Sequence, residues 1–276
     1  MSILVTGANG QLGTELVQLL KEHNLTVTEW DKDSVDIVDK AAVKKAMLDL
    51  KPEWIIHCAA FTNVEAAEDE LKNVNWEVNV DGTENISEAA EIVGAKLVYI
   101  STDYVFDGTK KEAYLPDDKT NPLNQYGIAK LAGEKVALEK NSQTYVIRTS
   151  WVFGKYGNNF VYSMLKLAET HKELKVVNDQ LGRPTYTYDL ADFIRFVIEK
   201  NPAYGIYQFS NSGTATWFEF ATEILKDKDV TVNPCTSDEF PQKAERPKTS
   251  IMSLEKVEKL GFNIPTWQDA LVRFKK

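Results

Sequence analysis

Apolar and polar positions follow two rhythms along the first half of the chain. Short apolar-bearing runs at Ile3 to Thr6, Thr26 to Trp30 and Trp54 to His57 are separated by Glu15 to Glu22 and Ala41 to Leu50, where apolar residues recur every three or four positions. The first pattern is that of a strand buried on both faces, and the second that of an amphipathic helix. The series continues with a helix from about Val80 to Val93, a strand at Lys96 to Ser101, a helix at Gln125 to Glu139 and a strand at Thr144 to Thr149. Repeated β-α-β units predict an α/β fold, a Rossmann-type doubly wound parallel sheet with helices on both faces.

After Arg148 the rhythm loosens. The pattern predicts helices near Asn159 to His171 and Tyr188 to Glu199, and strands at Lys175 to Val177 and Gly205 to Phe209. Further helices, at Trp217 to Leu225 and Ser253 to Leu260, flank the proline-bearing segment Asn233 to Pro247, which reads as a loop that wraps something. This divides the chain into residues 1–150 and a smaller C-terminal lobe, 151–276, from which the elements at about 186–210 return to the first domain. No internal repeat interrupts this reading.

Composition narrows the function classes. Hydrophobic residues make up 43% of the 276 and charged residues 26%, enough for a real core and too apolar for a disordered chain. The net charge of -9, with 32 basic against 41 acidic side chains and no basic block, excludes nucleic acid as the expected partner. It leaves room for a small anionic ligand at a local positive cleft. The cysteines, Cys58 and Cys235, match neither a disulfide framework nor a zinc spacing, and Cys58 reads as a buried side chain. His23 and His171 read as solvated helix ends and His57 as strand-end packing, so no metal site is expected. The N-terminus enters a strand directly, and no apolar run approaches membrane-spanning length, so a cytoplasmic protein with no membrane partner is expected.

The segment Ile3-Leu4-Val5-Thr6-Gly7-Ala8-Asn9-Gly10-Gln11-Leu12-Gly13 sets three glycines between a strand and a helix. Gly7 permits the turn, Gly10 lets the backbone approach a pyrophosphate, and Gly13 allows close packing, while the helix N-terminus attracts negative charge. Asp31 ends the next strand, where a carboxylate would accept hydrogen bonds from an adenine ribose. Residues 1–150 therefore read as an NAD(P)-binding domain, with Asp36 and Ile37 closing over the adenine or merely ending a strand. Gln11 and Leu12, and the Ala59-Ala60-Phe61 run after the third strand, complete the candidate cofactor set. Asp31 disfavours the extra phosphate of NADPH and Lys32 favours it, so both NADPH and NADH stay open.

Tyr126 and Lys130 stand at i and i+4 on one helix face, where the ammonium is expected to lower the phenol pKa and make it a proton shuttle. Upstream, the strand Leu97 to Ile100 runs into Ser101-Thr102-Asp103-Tyr104-Val105-Phe106-Asp107-Gly108, which brings hydroxyls to the C-terminal edge of a sheet. Strand alternation allows only one of Ser101 and Thr102 to face the site.

Glycine turn, strand-end hydroxyl and Tyr-x-x-x-Lys, in this order, resemble the extended short-chain dehydrogenases. That resemblance implies that Thr102 polarises a substrate carbonyl, Tyr126 donates the proton, and Lys130 holds both cofactor and tyrosine. The segments Cys58 to Glu68, Pro122 to Gly127, Arg148 to Gly154, Gly157 to Phe160, Asn178 to Thr185 and Arg246-Pro247 look like the dTDP-4-dehydrorhamnose reductase family over nearly the whole chain. The family's reaction implies reduction of the 4-keto group of dTDP-6-deoxy-L-lyxo-4-hexulose to dTDP-L-rhamnose. For such a nucleotide-sugar substrate, Thr102 and Asp103 can grip sugar oxygens, Trp151 offers a flat apolar face, and Arg246 can pair with a diphosphate. Asn158, Asn159 and Gln180 carry amides for base or sugar edges and Arg183 a further charge, although Asn159 equally suits a helix cap. Two rivals stand beside this reading: a reductase or epimerase of another nucleotide sugar, and a non-catalytic regulatory subunit of the methionine adenosyltransferase type. Some members of the family use a divalent ion at a dimer contact; no matching carboxylates are identified here, which leaves monomer or homodimer open.

Overall fold

In the computed structural model, which describes residues 1–276, the chain opens on β1 (Ser2–Thr6), α1 (Gln11–Glu22), β2 (Thr26–Trp30), α2 (Lys40–Leu50) and β3 (Trp54–His57). A short α3 (Lys72–Trp76) runs through a π-helical turn at Glu77–Asp81 into α4 (Gly82–Val93). β4 (Lys96–Thr102), α5 (Gln125–Lys140) and β5 (Thr144–Thr149) follow. Beyond them come β6 (Val152–Phe153), α6 (Phe160–Ala168), β7 (Glu173–Val177), β8 (Leu181–Gly182), β9 (Thr185–Tyr186), α7 (Thr187–Lys200) and β10 (Gly205–Gln208). The chain ends with β11 (Ala215–Thr216), α8 (Trp217–Leu225), β12 (Thr231–Cys235), α9 (Glu255–Lys259) and α10 (Trp267–Phe274).

Six parallel strands form the main sheet in the order β10-β5-β4-β3-β1-β2. Alternation along each strand feeds two cores. Ile3, Val5, Ile56 and Ile147 face the layer of α1 and α7, whereas Leu4, Ile55, Leu97 and Val146 join Val43, Met47 and Ile86 on the opposite face. Full burial of such a side chain contributes about 1.5–3 kcal/mol relative to exposure, so strands apolar on both faces belong between helical layers. Chain order reverses between β1 and β3, because β2 lies to one side of β1 and all later strands to the other. At that reversal a crevice opens at the carboxyl ends of the strands.

A third apolar cluster, including Phe153, Val161, Leu174, Tyr186, Phe220, Trp267 and Phe274, lies outside the sheet and holds α6, α8 and α10 together. Two expectations fail in this part of the chain. Residues Asn233 to Cys235 are not loop: they belong to β12, which pairs in parallel with β7, Pro234 opposite Val176. In a two-stranded sheet each strand keeps a free edge, and a residue without an N–H is tolerated there. The second is the eight-residue α10, which the pattern does not predict; it is started by Thr266, whose hydroxyl accepts from Asp269 N. Between these regions α7 packs on α1, and β10 pairs with β5 as the sheet's edge strand.

Candidate functional site

The turn after β1 is shaped by contacts that leave no room for side chains. Gly7 adopts φ +65°, and a Cβ there would lie 2.6 Å from the Ala59 amide, while a Cβ on Gly13 would lie 2.1 Å from the Gly7 carbonyl. No side chain caps α1 at Gly10, so the first-turn amides have no partner of their own at the place where Gly10, Gln11, Leu12 and Gly13 border a cleft of about 690 Å³. A cradle of bare backbone at a helix N-terminus fits a pyrophosphate group. Asp31 follows β2 directly; its carboxylate accepts from the Asp33 and Ser34 amides and is tied to Asn9.

The opposite lip of the crevice is built by the end of β3. Ala60 borders the cleft, and Phe61 is clamped through both backbone groups, its N–H on Asn79 Oδ1 at 3.2 Å and its carbonyl on Asn79 Nδ2 at 2.9 Å. Asn79 stands in the π-helical turn, and its Nδ2 also donates to Asn75 Oδ1 at 2.9 Å.

At the end of β4 the neighbouring hydroxyls separate. Ser101 Oγ donates to Glu134 Oε1 at 2.5 Å, whereas Thr102 Oγ1 donates to Asp103 Oδ1 at 3.1 Å beside Tyr126. Asp103 is only 2% exposed, its Oδ2 has no partner, and burial pushes its carboxyl up to about 6 against the pull of Ser250 and Thr102. Tyr126 meets Tyr104 edge to face at 6.1 Å between ring centroids. Burial, with Asp103 adding to it, drives the Tyr126 phenol well above its ordinary range, and the Thr102 hydroxyl opposes this only in part. The expected lowering by Lys130 is therefore overturned: desolvation of the anion dominates, and the charge acting on the phenol is that of Asp103, in the same raising direction. Lys130 itself is pulled down to about 7 by burial, with Glu134 holding it up, and its ammonium lies 4.1 Å above the Tyr99 ring. His57, bonded to Thr6 and Thr83 and pulled by burial to about 3, and Cys58, pushed by burial up to about 12, are both neutral beside it.

The far wall comes from the end of β5 and from α8. Trp151 sits at φ +46°, a conformation costly for a bulky residue, and stacks on Trp217 with ring centroids 3.6 Å apart and planes 8° apart. Gly182 is needed behind it, since a Cβ there would lie 2.4 Å from the indole. Trp151 thus does not offer a bare face; Trp217 already covers one. Arg246 closes the mouth, its Nε donating to Tyr104 Oη at 3.2 Å and its Nη1 lying 2.9 Å from Glu65 Oε1.

The cleft is therefore bordered by Gly7, Gly10, Gln11, Leu12, Gly13, Ala60, Thr102, Asp103, Tyr126, Lys130, Trp151 and Arg246. Other candidates lie elsewhere. Ile37 packs into the core against Gly82, and Asp36 accepts from Val38 N, so neither reaches the cleft. Ala59 and Phe61 shape the lip through their backbones. Asn159 caps α6 by accepting from Tyr162 N and spends its amide on Gly154 O and Gln11 Oε1, which leaves nothing for a substrate. Gln180 is likewise consumed, accepting from Trp217 Nε1 at 3.2 Å and donating to Ser237 Oγ at 3.0 Å. Arg183 donates to the Met252 carbonyl. Trp217 and Tyr104 border the cleft without having been singled out; the sequence shows the first only as an aromatic opening a helix, and the second inside a motif valued for its hydroxyl and carboxylate.

The family described as the RmlD substrate binding domain matches residues 1–276. The chain is 40% identical to the spore coat polysaccharide biosynthesis protein SpsK of Bacillus subtilis, covering 98% of this chain and 95% of that one. It is 37% identical to the dTDP-4-dehydrorhamnose reductase of Aggregatibacter actinomycetemcomitans, over 98% and 96%. Among solved structures, the dTDP-4-dehydrorhamnose reductase of Bacillus anthracis in complex with NADP is similar at a TM-score of 0.96 and 41% identity, over 99% of this chain and 98% of that one.

Proposed function

This chain belongs to the RmlD substrate binding domain family, and from that premise we propose that it reduces the C4 keto group of dTDP-6-deoxy-L-lyxo-4-hexulose to give dTDP-L-rhamnose, using NADPH or NADH. The observation that carries the reading is the convergence of Tyr126, Thr102, Lys130 and the unpartnered Asp103 carboxylate on the cleft that the glycine turn opens. A reduced nicotinamide bound along that turn supplies the hydride. Tyr126, protonated at neutral pH, gives its proton to the substrate oxygen, and Thr102 hydrogen-bonds the same oxygen as charge develops on it. Lys130 steadies the phenolate left behind. Asp103 Oδ2 accepts a sugar hydroxyl, and Arg246 pairs with the diphosphate at the mouth.

The test is consumption of NADPH and of NADH, measured separately, with this 4-keto sugar nucleotide and with other 4-keto sugar nucleotides. Turnover confined to another sugar would move the assignment to a different reductase. No turnover with either cofactor would leave the non-catalytic subunit reading.

A further inference from the structure

Behind Lys130 the protein buries a charged group that the reaction above does not use. Glu134 lies one turn further along α5 and is 2% exposed. Its Oε1 accepts from Ser101 Oγ at 2.5 Å and Arg148 Nε at 2.9 Å, and its Oε2 from Arg148 Nη2 at 2.7 Å. Arg148, on β5, also donates to the Pro116 carbonyl at 2.9 Å and lies 5.1 Å above the Phe106 ring. A buried ion pair is a poor means of stabilising a fold, since well-packed apolar residues often serve as well or better.

Position gives the pair a second role. Ser101 immediately precedes Thr102, so the carboxylate anchors the end of β4 that carries this hydroxyl. The groups around Lys130 are the neutral His57 and Cys58 at the end of β3, the Tyr99 ring on β4, and Tyr126 and Glu134 on α5. Glu134 is the carboxylate among them. We propose that Glu134 is a positioning residue of the reduction: held by Arg148, it fixes Ser101 and hence Thr102, and sets a rigid carboxylate one turn behind the Lys130 ammonium. The inference rests on the proposed role of Lys130. Burial works against the ammonium and Glu134 supports it, so loss of the carboxylate moves deprotonation of Lys130 to lower pH.

The test follows kcat and KM against pH for the wild type, E134Q and E134D. E134Q keeps the shape and a partner for Ser101 but removes the charge. Its alkaline fall in kcat is expected to move down by roughly one pH unit or more, with the sugar-nucleotide KM changed less than kcat. E134D, which keeps the charge, is expected to bring the fall-off back towards the wild-type pH. A folded E134Q with the wild-type profile overturns the proposal. Where E134Q does not fold, E134Q/R148M removes the pair as a unit and is read in the same way. Failure of the wild type to reduce any sugar nucleotide removes the proposed function, whereas turnover with an unshifted E134Q profile removes only the role of Glu134.

Discussion

Tyr126 begins as an acid because its surroundings refuse the phenolate. Replacing it by phenylalanine should leave the cofactor Kd within a few-fold of wild type, by titration of nicotinamide fluorescence, while kcat falls by about 100-fold or more. His57 gives a stability test. In the fold it resists protonation until about pH 3, whereas the unfolded chain takes the proton near 6.5. Unfolding therefore binds a proton between those limits, and stability present above about 6.5 is lost as pH falls, by at most about 1.4 kcal/mol per pH unit from this group. Asp103, held near 6 in the fold against 3.8, acts in the opposite sense between those two values, so the comparison of variants isolates the histidine. Thermal midpoints of His57→Gln should show a flatter dependence than wild type between about pH 7 and pH 5. Legibility at this scale follows from how far a residue's chemistry depends on its neighbours. A tyrosine and a lysine at i and i+4 carry their geometry in the sequence. The amides of Asn159 and Gln180 do not, because their partners lie at Gly154 and Gln11, or at Trp217 and Ser237, and only the fold brings these together.

Among the elements, the turn between β1 and α1 is the most constrained. Gly13→Ala forces a Cβ into the Gly7 carbonyl, so the turn must open or α1 must shift. The expected outcome is a loss of cofactor affinity of at least about tenfold, equivalent to about 1.4 kcal/mol, read by the same titration, with little effect on the fold of the outer cluster by circular dichroism. The inner strands of the sheet were readable because each holds an unbroken apolar run, as in Ile3 to Val5, Trp54 to Ile56 and Leu97 to Ile100. β12 was not, since Pro234 and the turn residues after it speak for a loop and only the partner β7 makes a strand. Trp267, Ala270, Leu271 and Phe274 do carry the spacing of α10, but its eight residues fall short of the window over which such a period stands clear.

At the scale of the molecule, the substrate cleft depends on parts of the chain that are far apart in sequence. Arg246 reaches it from a segment fastened by Glu65 to the loop between β3 and α3, and Glu65 Oε2 also accepts from Lys243 N at 2.8 Å. Arg246→Ala should raise the sugar-nucleotide KM by roughly ten- to a hundredfold, the worth of about 1.5–3 kcal/mol for hydrogen bonds to a charged group, with kcat changed far less. Steady-state kinetics at saturating cofactor checks this. The return of α7 and β10 to the sheet has a consequence for how such proteins can diversify. The segments flanking them build the outer cluster, while these two cover α1 and the edge of β5. Recombination between relatives therefore has no seam near residue 150 along which a new sugar preference could be inherited whole. A crossover there joins one parent's β5 and α1 to another parent's β10 and α7, and the hybrid must repack the sheet before it can select a substrate.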